Sequence, residues 1–134
     1  TVIAAVIERD ERILVTRRVK GTHLAGYWEF PGGKLEPGES HGQCLVREIQ
    51  EELDVVAEVG SHLHSTTHAY VERTIELHFY RASITSEPRA VLGQRVRWVT
   101  SRELAALRLP PADDELVEVL TRSTSEDSPL IGGT

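Results

Sequence analysis

The stretch "WEFPGGKLEPGESHGQCLVREIQEELDV", Trp28 to Val55, decides how the rest of the chain is read. Its first half, "FPGGKLEPGE", carries the Pro and Gly punctuation of a structured loop, and its second half has the period of an amphipathic helix. Ser40 followed three residues later by Gln43 is the spacing of a capping box, so a helix is expected from about His41 to Leu53. On that helix Leu45, Val46, Ile49 and Leu53 fall in one core-facing arc. Glu48, Glu51 and Glu52 share a neighbouring flank, with Glu52 nearest the buried side and Glu51 farthest from it.

Local energetics oppose this crowding of acids. Glu48 and Glu52 form a like-charge i,i+4 pair costing roughly 0.2–0.5 kcal/mol, in the last two turns, where the helix dipole is negative. A purely structural helix would place Lys or Arg there, and a solvated acidic face is the plain alternative. Carboxylates at i, i+3 and i+4 supply hard oxygen ligands on one face, the chemistry that Mg²⁺ or Mn²⁺ requires. The glycine pair upstream lets backbone carbonyls come close to such an ion. Arg47, four residues before Glu51, can pair with it or anchor the preceding loop.

Outward from this stretch, the 134 residues suit one domain, expected over residues 1–122, with the aperiodic tail 123–134 flexible. "TVIAAVI" and "RILVT" read as two strands around the charged turn "ERDE", and Val55 to Tyr70 is strand-like. In "ERTIELHFYRASI" Ile75, Leu77 and Phe79 alternate with Thr74, Glu76, His78 and Tyr80. "RVRWVT" is a short strand, Ser101 an N-cap for the following helix, and Pro110 and Pro111 precede a last helix from about Asp113 to Leu120. Strands and helices interleave without regular βαβ alternation, so an α/β fold with a mixed sheet is expected. The net charge of −6 disfavours a nucleic-acid polymer as partner. No apolar run has membrane-span length and no secretory signal is visible, so a cytoplasmic protein is expected. Cys44 stands alone and is expected to be a small buried hydrophobe.

The stretch resembles the Nudix hydrolases, whose signature is G-x5-E-x7-R-E-U-x-E-E-x-G-U with U aliphatic. Gly33, Glu39, Arg47, Glu48, Ile49, Glu51, Glu52 and Val55 fall on its fixed positions, and Asp54 replaces its glycine. That position ends the helix in a left-handed conformation, which Asp tolerates better than most residues. "TRR" at Thr16 to Arg18, "RVRWVT" and "LPPADDEL" extend the likeness to the small MutT-type branch over about residues 1 to 120. The resemblance implies an α/β/α sandwich around a mixed sheet. It implies hydrolysis of nucleoside triphosphates to monophosphate and pyrophosphate, with Mg²⁺ or Mn²⁺ held by Glu48, Glu51, Glu52 and the Gly32 carbonyl. Arg47 would position loop and helix, Glu39 would support them, and Glu51 or Glu52 would activate water. The further glutamate that MutT-type proteins commonly carry before the last strand falls on Leu92 here, with Glu87 earlier in the same loop.

Base recognition in the resembling enzymes maps to Arg18, Phe30 and Asp113, with His23 a weaker candidate. An ionised Asp113 can only accept hydrogen bonds, which favours an exocyclic amine over a guanine carbonyl. The family label is nucleotide-pool sanitation of the 8-oxo-dGTP type, and the side chain points toward CTP, dCTP or related bases. Nucleotide-sugar cleavage and a non-catalytic nucleotide sensor are the other readings. A small-molecule nucleotide is the expected partner, and the protein is expected to be a monomer or weak homodimer. Strand alternation would set His62, His64 and His68 on one face, where they read as exposed strand histidines rather than a zinc site.

Overall fold

A computed structural model describes residues 1–17 and 26–121. The expected tail lies outside them. The strands are β1 (Val2–Arg9), β2 (Arg12–Arg17), β3 (Trp28–Glu29), β4 (Gly32–Lys34), β5 (Ala57–Ala69), β6 (Thr74–Ile84) and β7 (Arg95–Val99). The helices are α1 (His41–Leu53), α2 (Ser101–Ala106) and α3 (residues 114–121), the last preceded by a 3-10 turn, Pro111–Asp113.

The strands run in the order β3-β2-β1-β6-β5, with β4 also bonded to β1 and β7 to β2. β1 and β6 are parallel and the other pairings antiparallel, which makes the sheet mixed. The unbroken apolar run of β1 follows from its place, because it is covered on both faces. Ile3, Ala5 and Ile7 pack with Cys44, Leu45, Ile49 and Leu53 of α1. Ala4 and Val6 pack oppositely with Phe79, Val99, Leu104 and Leu116, beneath α2 and α3. Three layers, α/β/α, result as expected.

Helix α1 has the expected bounds and cap: Gln43 N–H donates to Ser40 Oγ at 3.1 Å, and Ser40 N–H to Gln43 Oε1 at 2.9 Å. Its C-cap, Asp54, is left-handed at φ 54°, ψ 42°. The helix is turned slightly from the expected arc. Cys44 takes the inner position and Val46 is 39% exposed, because Cys44 sits beneath the β4 end, with Sγ 3.5 Å from the Lys34 carbonyl. Burial raises the Cys44 thiol to about 11. The cap of α2 also differs by one residue. Thr100 is extended and forms the capping box with Glu103, while Ser101 is already helical.

Ile49→Ala should therefore destabilise the chain by roughly 2–5 kcal/mol, whereas Val46→Ala should change it by less than about 0.5 kcal/mol. Urea unfolding followed by circular dichroism measures both, and equal losses would contradict the observed rotation of α1.

Candidate active site

The loop from β3 to α1 lies against β1 and α1 because two glycines permit it. Gly32 has φ 153°, and a Cβ there would collide with the Ile3 carbonyl. A Cβ on Gly33 would run into the Glu48 carboxylate. With no side chains in the way, β4 pairs with β1 through Gly32 and Gly33, and the loop backbone reaches the acidic flank of α1. Further along, Glu36 N–H donates to Glu39 Oε1 at 3.0 Å, closing the turn just before Ser40.

Arg47 binds the loop to the helix. Its Nε and Nη2 grip Glu39 bidentately at 2.6 and 3.0 Å, Nη1 meets Glu48 Oε1 at 2.7 Å, and Nη2 donates to the Lys34 carbonyl at 3.1 Å. Nη1 also lies 3.5 Å from Glu51 and 3.6 Å from Glu36. Both expected roles, pairing with Glu51 and anchoring the loop, are present in one side chain. The guanidinium holds the Glu39 carboxyl down to about 2, and these acids in turn raise Arg47.

The flank grades as expected from the helical wheel. Glu48 is 17% exposed and Glu51 59%. Glu52 is partly buried, and burial, then the charges of Glu48 and Glu29, push its carboxyl up to about 8, with the Gly32 backbone opposing. Glu29 escaped the sequence reading. Its signal was its place beside the candidate Phe30, but what brings it near Glu52 is the pairing of β3 on β2, which no local pattern reveals. The loop before β7 closes over the C-terminal end of α1. Arg89 N–H donates to the Leu53 carbonyl at 2.8 Å, and Val91 N–H and the Gln94 amide donate to that of Glu52 at 3.3 and 2.9 Å. Leu92 sits here with its side chain exposed. Glu87 is drawn instead to Arg9, at 2.9 Å.

A cleft of about 750 Å³ adjoins this flank. Phe30 and Asp113 both line it, as do Glu29, Gly32, Tyr70 and Arg73. Phe30 is also a core residue, edge-on to Phe79 with ring centroids 5.7 Å apart. Asp113 is 6% exposed, held in the 3-10 turn behind Pro110. Arg18 and His23 lie outside the described residues. Of the β5 histidines, His62 leaves the face that His64 and His68 share along an unbroken ladder. Register shifts between Val59 and His62 and between His62 and His64 turn His62 toward Tyr80, while His64 stacks on Phe79 and meets Glu115 at 3.0 Å. His68 packs on Tyr70.

The family model described as the NUDIX domain matches residues 2–119. The chain belongs to the Nudix family. A CTP pyrophosphohydrolase of Escherichia coli K12 is 41% identical to it over 118 residues, 87% of each chain. An 8-oxo-dGTP diphosphatase of the same strain is 36% identical over 123 residues, 90% of this chain and 95% of that one. The solution structure of the E. coli ORF135 protein superposes with a TM-score of 0.78 at 41% identity, covering 87% and 84% of the two chains. Nudix hydrolases generally need a divalent metal, and the donor set here fits one: three carboxylates on one flank, one of them made costly to ionise by burial and then by its acidic neighbours. Among the described residues no three acid, histidine or cysteine side chains already surround a common point. Arg47 holds Glu48 aside at 2.7 Å.

The raised carboxyl of Glu52 has a thermodynamic consequence. Between its ordinary value of 4.5 and about 8 the folded chain keeps a proton that the unfolded chain releases, so this group's contribution to stability falls as pH rises through that window. In chelator-treated protein, the melting temperature relative to that of Glu52→Gln should fall from about pH 5 to pH 8. Parallel curves would show that Glu52 ionises like an exposed carboxylate.

Proposed function

We propose that this Nudix chain is a Mg²⁺-dependent pyrophosphohydrolase that converts nucleoside triphosphates to monophosphate and pyrophosphate. The observation that carries the reading is the juxtaposition of a repulsive carboxylate flank with a nucleotide-sized cleft, joined by Gly32 and Gly33, which line one and touch the other. Glu48, Glu51, Glu52 and the Gly32 carbonyl would hold Mg²⁺, with Mn²⁺ as a substitute. The bound metal supplies neutralisation of phosphate oxygens and a more acidic water.

The protein's own groups do the rest. Arg47 and Glu39 fix the loop against α1, so that the Gly32 carbonyl and the flank keep one geometry. Glu51 or Glu52 would accept a proton from water, Glu52 lying nearer the buried side. With Leu92 in place of a further glutamate, the acids of α1 and Glu29 are the available bases near the cleft. Nucleotide-pool sanitation of the 8-oxo-dGTP type is the broad reading, supported by the 36% identical relative. CTP or dCTP is the second, favoured by the buried acceptor Asp113 in the cleft wall and by the 41% identical relative. A carboxylate accepts from the exocyclic amine of cytosine and repels the guanine carbonyl.

Glu52→Gln should lower kcat for pyrophosphate release with Mg²⁺ by roughly 10²–10⁴-fold. A parent chain inactive on 8-oxo-dGTP, dGTP, CTP, dCTP and 2-hydroxy-dATP would sink the enzymatic reading. Asp113→Asn should shift the kcat/KM ratio of 8-oxo-dGTP to CTP upward by roughly tenfold. An unchanged ratio would remove Asp113 from base recognition.

A further inference from the structure

The wall of the cleft is assembled from elements far apart in sequence, and one imidazole joins two of them. His64 stands directly opposite Phe79 in the β5–β6 ladder, and the two rings lie near-parallel, at 27° with centroids 6.4 Å apart. Phe79 is fully buried and lines the cleft, with Phe30 set edge-on against it. From the same imidazole, Nε2 reaches Glu115 Oε2 at 3.0 Å. Glu115 lies in the first turn of α3, two residues beyond Asp113, whose N–H closes the 3-10 turn on the Pro110 carbonyl at 2.9 Å. The register shift between His62 and His64 creates this arrangement, because an unshifted ladder would set His64 opposite His78, on the α1 side of the sheet.

The two contacts have different effects. Packing on Phe79 fixes the plane of the imidazole, and the fixed plane aims Nε2 at α3. An ionised carboxylate can only accept, so Nε2 carries the proton whether the ring is neutral or charged, and the contact persists in both states. What it restrains is the start of α3, and with it the 3-10 turn that sets Asp113 in the cleft wall. A shift of that turn moves Asp113 relative to Phe30 and Phe79. It leaves the carboxylate flank of α1 in place, because Arg47 and Glu39 hold that flank from other elements. His64 is largely covered and Glu115 largely open to solvent, so the pair is a tether of modest strength.

We propose that His64 is a positioning residue for base selection: through Glu115 it holds the turn carrying Asp113 against the Phe79 side of the cleft, and so sets how tightly a base with an exocyclic amine is bound. This role rests on the reading of the cleft as a nucleotide site with Asp113 facing the base. Because the tether acts on the cleft wall and not on the carboxylate flank, its loss falls on KM rather than on kcat.

Amide hydrogen exchange of the full chain, followed by NMR, reads the turn directly. His64→Phe, which keeps a ring and loses the donor, and Glu115→Ala should each speed exchange of the Asp113 amide by roughly threefold or more, and His64→Gln, which restores an N–H donor, should slow it again. The Cys44 amide of α1, bonded to the Ser40 carbonyl at 3.0 Å, serves as the unaffected reference. With Mg²⁺ present, both variants should bind CMP roughly two- to fivefold more weakly and show the same rise in KM for CTP, with kcat altered by less than about twofold. In an Asp113→Asn background Glu115→Ala should weaken CMP no further. Should His64→Phe fail to fold, Glu115→Ala, at an exposed position, carries the test. Unchanged Asp113 exchange, or unchanged affinity for CMP, in the variants overturns the proposal. A parent that releases no pyrophosphate, while the variants still loosen the turn and lose affinity for CMP, would sink the enzymatic reading and uphold the positioning role.

Discussion

The Arg47 guanidinium is the joint on which the catalytic end of the fold depends. It sits among four carboxylates and a backbone carbonyl, so it offsets charge that α1 would otherwise gather unopposed at its negative end. Its bidentate grip on Glu39 fixes the loop's last turn, and through that turn the start of α1. The glycines matter for the same reason. Arg47 can reach Lys34, Glu39 and Glu48 together only if the loop lies close on the helix, and a single Cβ at Gly33 would hold it off.

Much of this was legible in the sequence because it is local. The capping box of Ser40 and Gln43 and the end of the helix at Leu53 follow from residue type and spacing within a few positions, and the left-handed turn at Asp54 follows from the resemblance to the family's signature. The misreadings have equally physical causes. Thr100 and Ser101 are both good caps, and only the three-residue distance to Glu103 separates them. Val46 and Cys44 flank the core arc, and tertiary packing under β4 chose the cysteine. His62 was misplaced relative to His64 and His68 because alternation assumes an unbroken ladder, and register shifts on either side of His62 break it. Glu29 reaches the site through strand pairing, and such proximity has no signature in a linear pattern.

The cleft and the acidic flank solve one problem together. For a protein of net charge −6 the proposed reading has a polyanion held through acids that call for a cation rather than through a basic surface. Burial of Glu52 makes that demand stronger, since a carboxylate partly removed from water and facing two others is costly to ionise alone. The cleft wall carries side chains of opposite hydrogen-bonding character, the acceptor Asp113 and the donor Arg73.

The segment that closes over the end of α1 meets the helix through main-chain N–H groups and the Gln94 amide, and Leu92 contributes there only an N–H to Gln94. Its frame is therefore indifferent to what projects from position 92. An acid or an alkyl group at that point is compatible with the same backbone path around the end of α1.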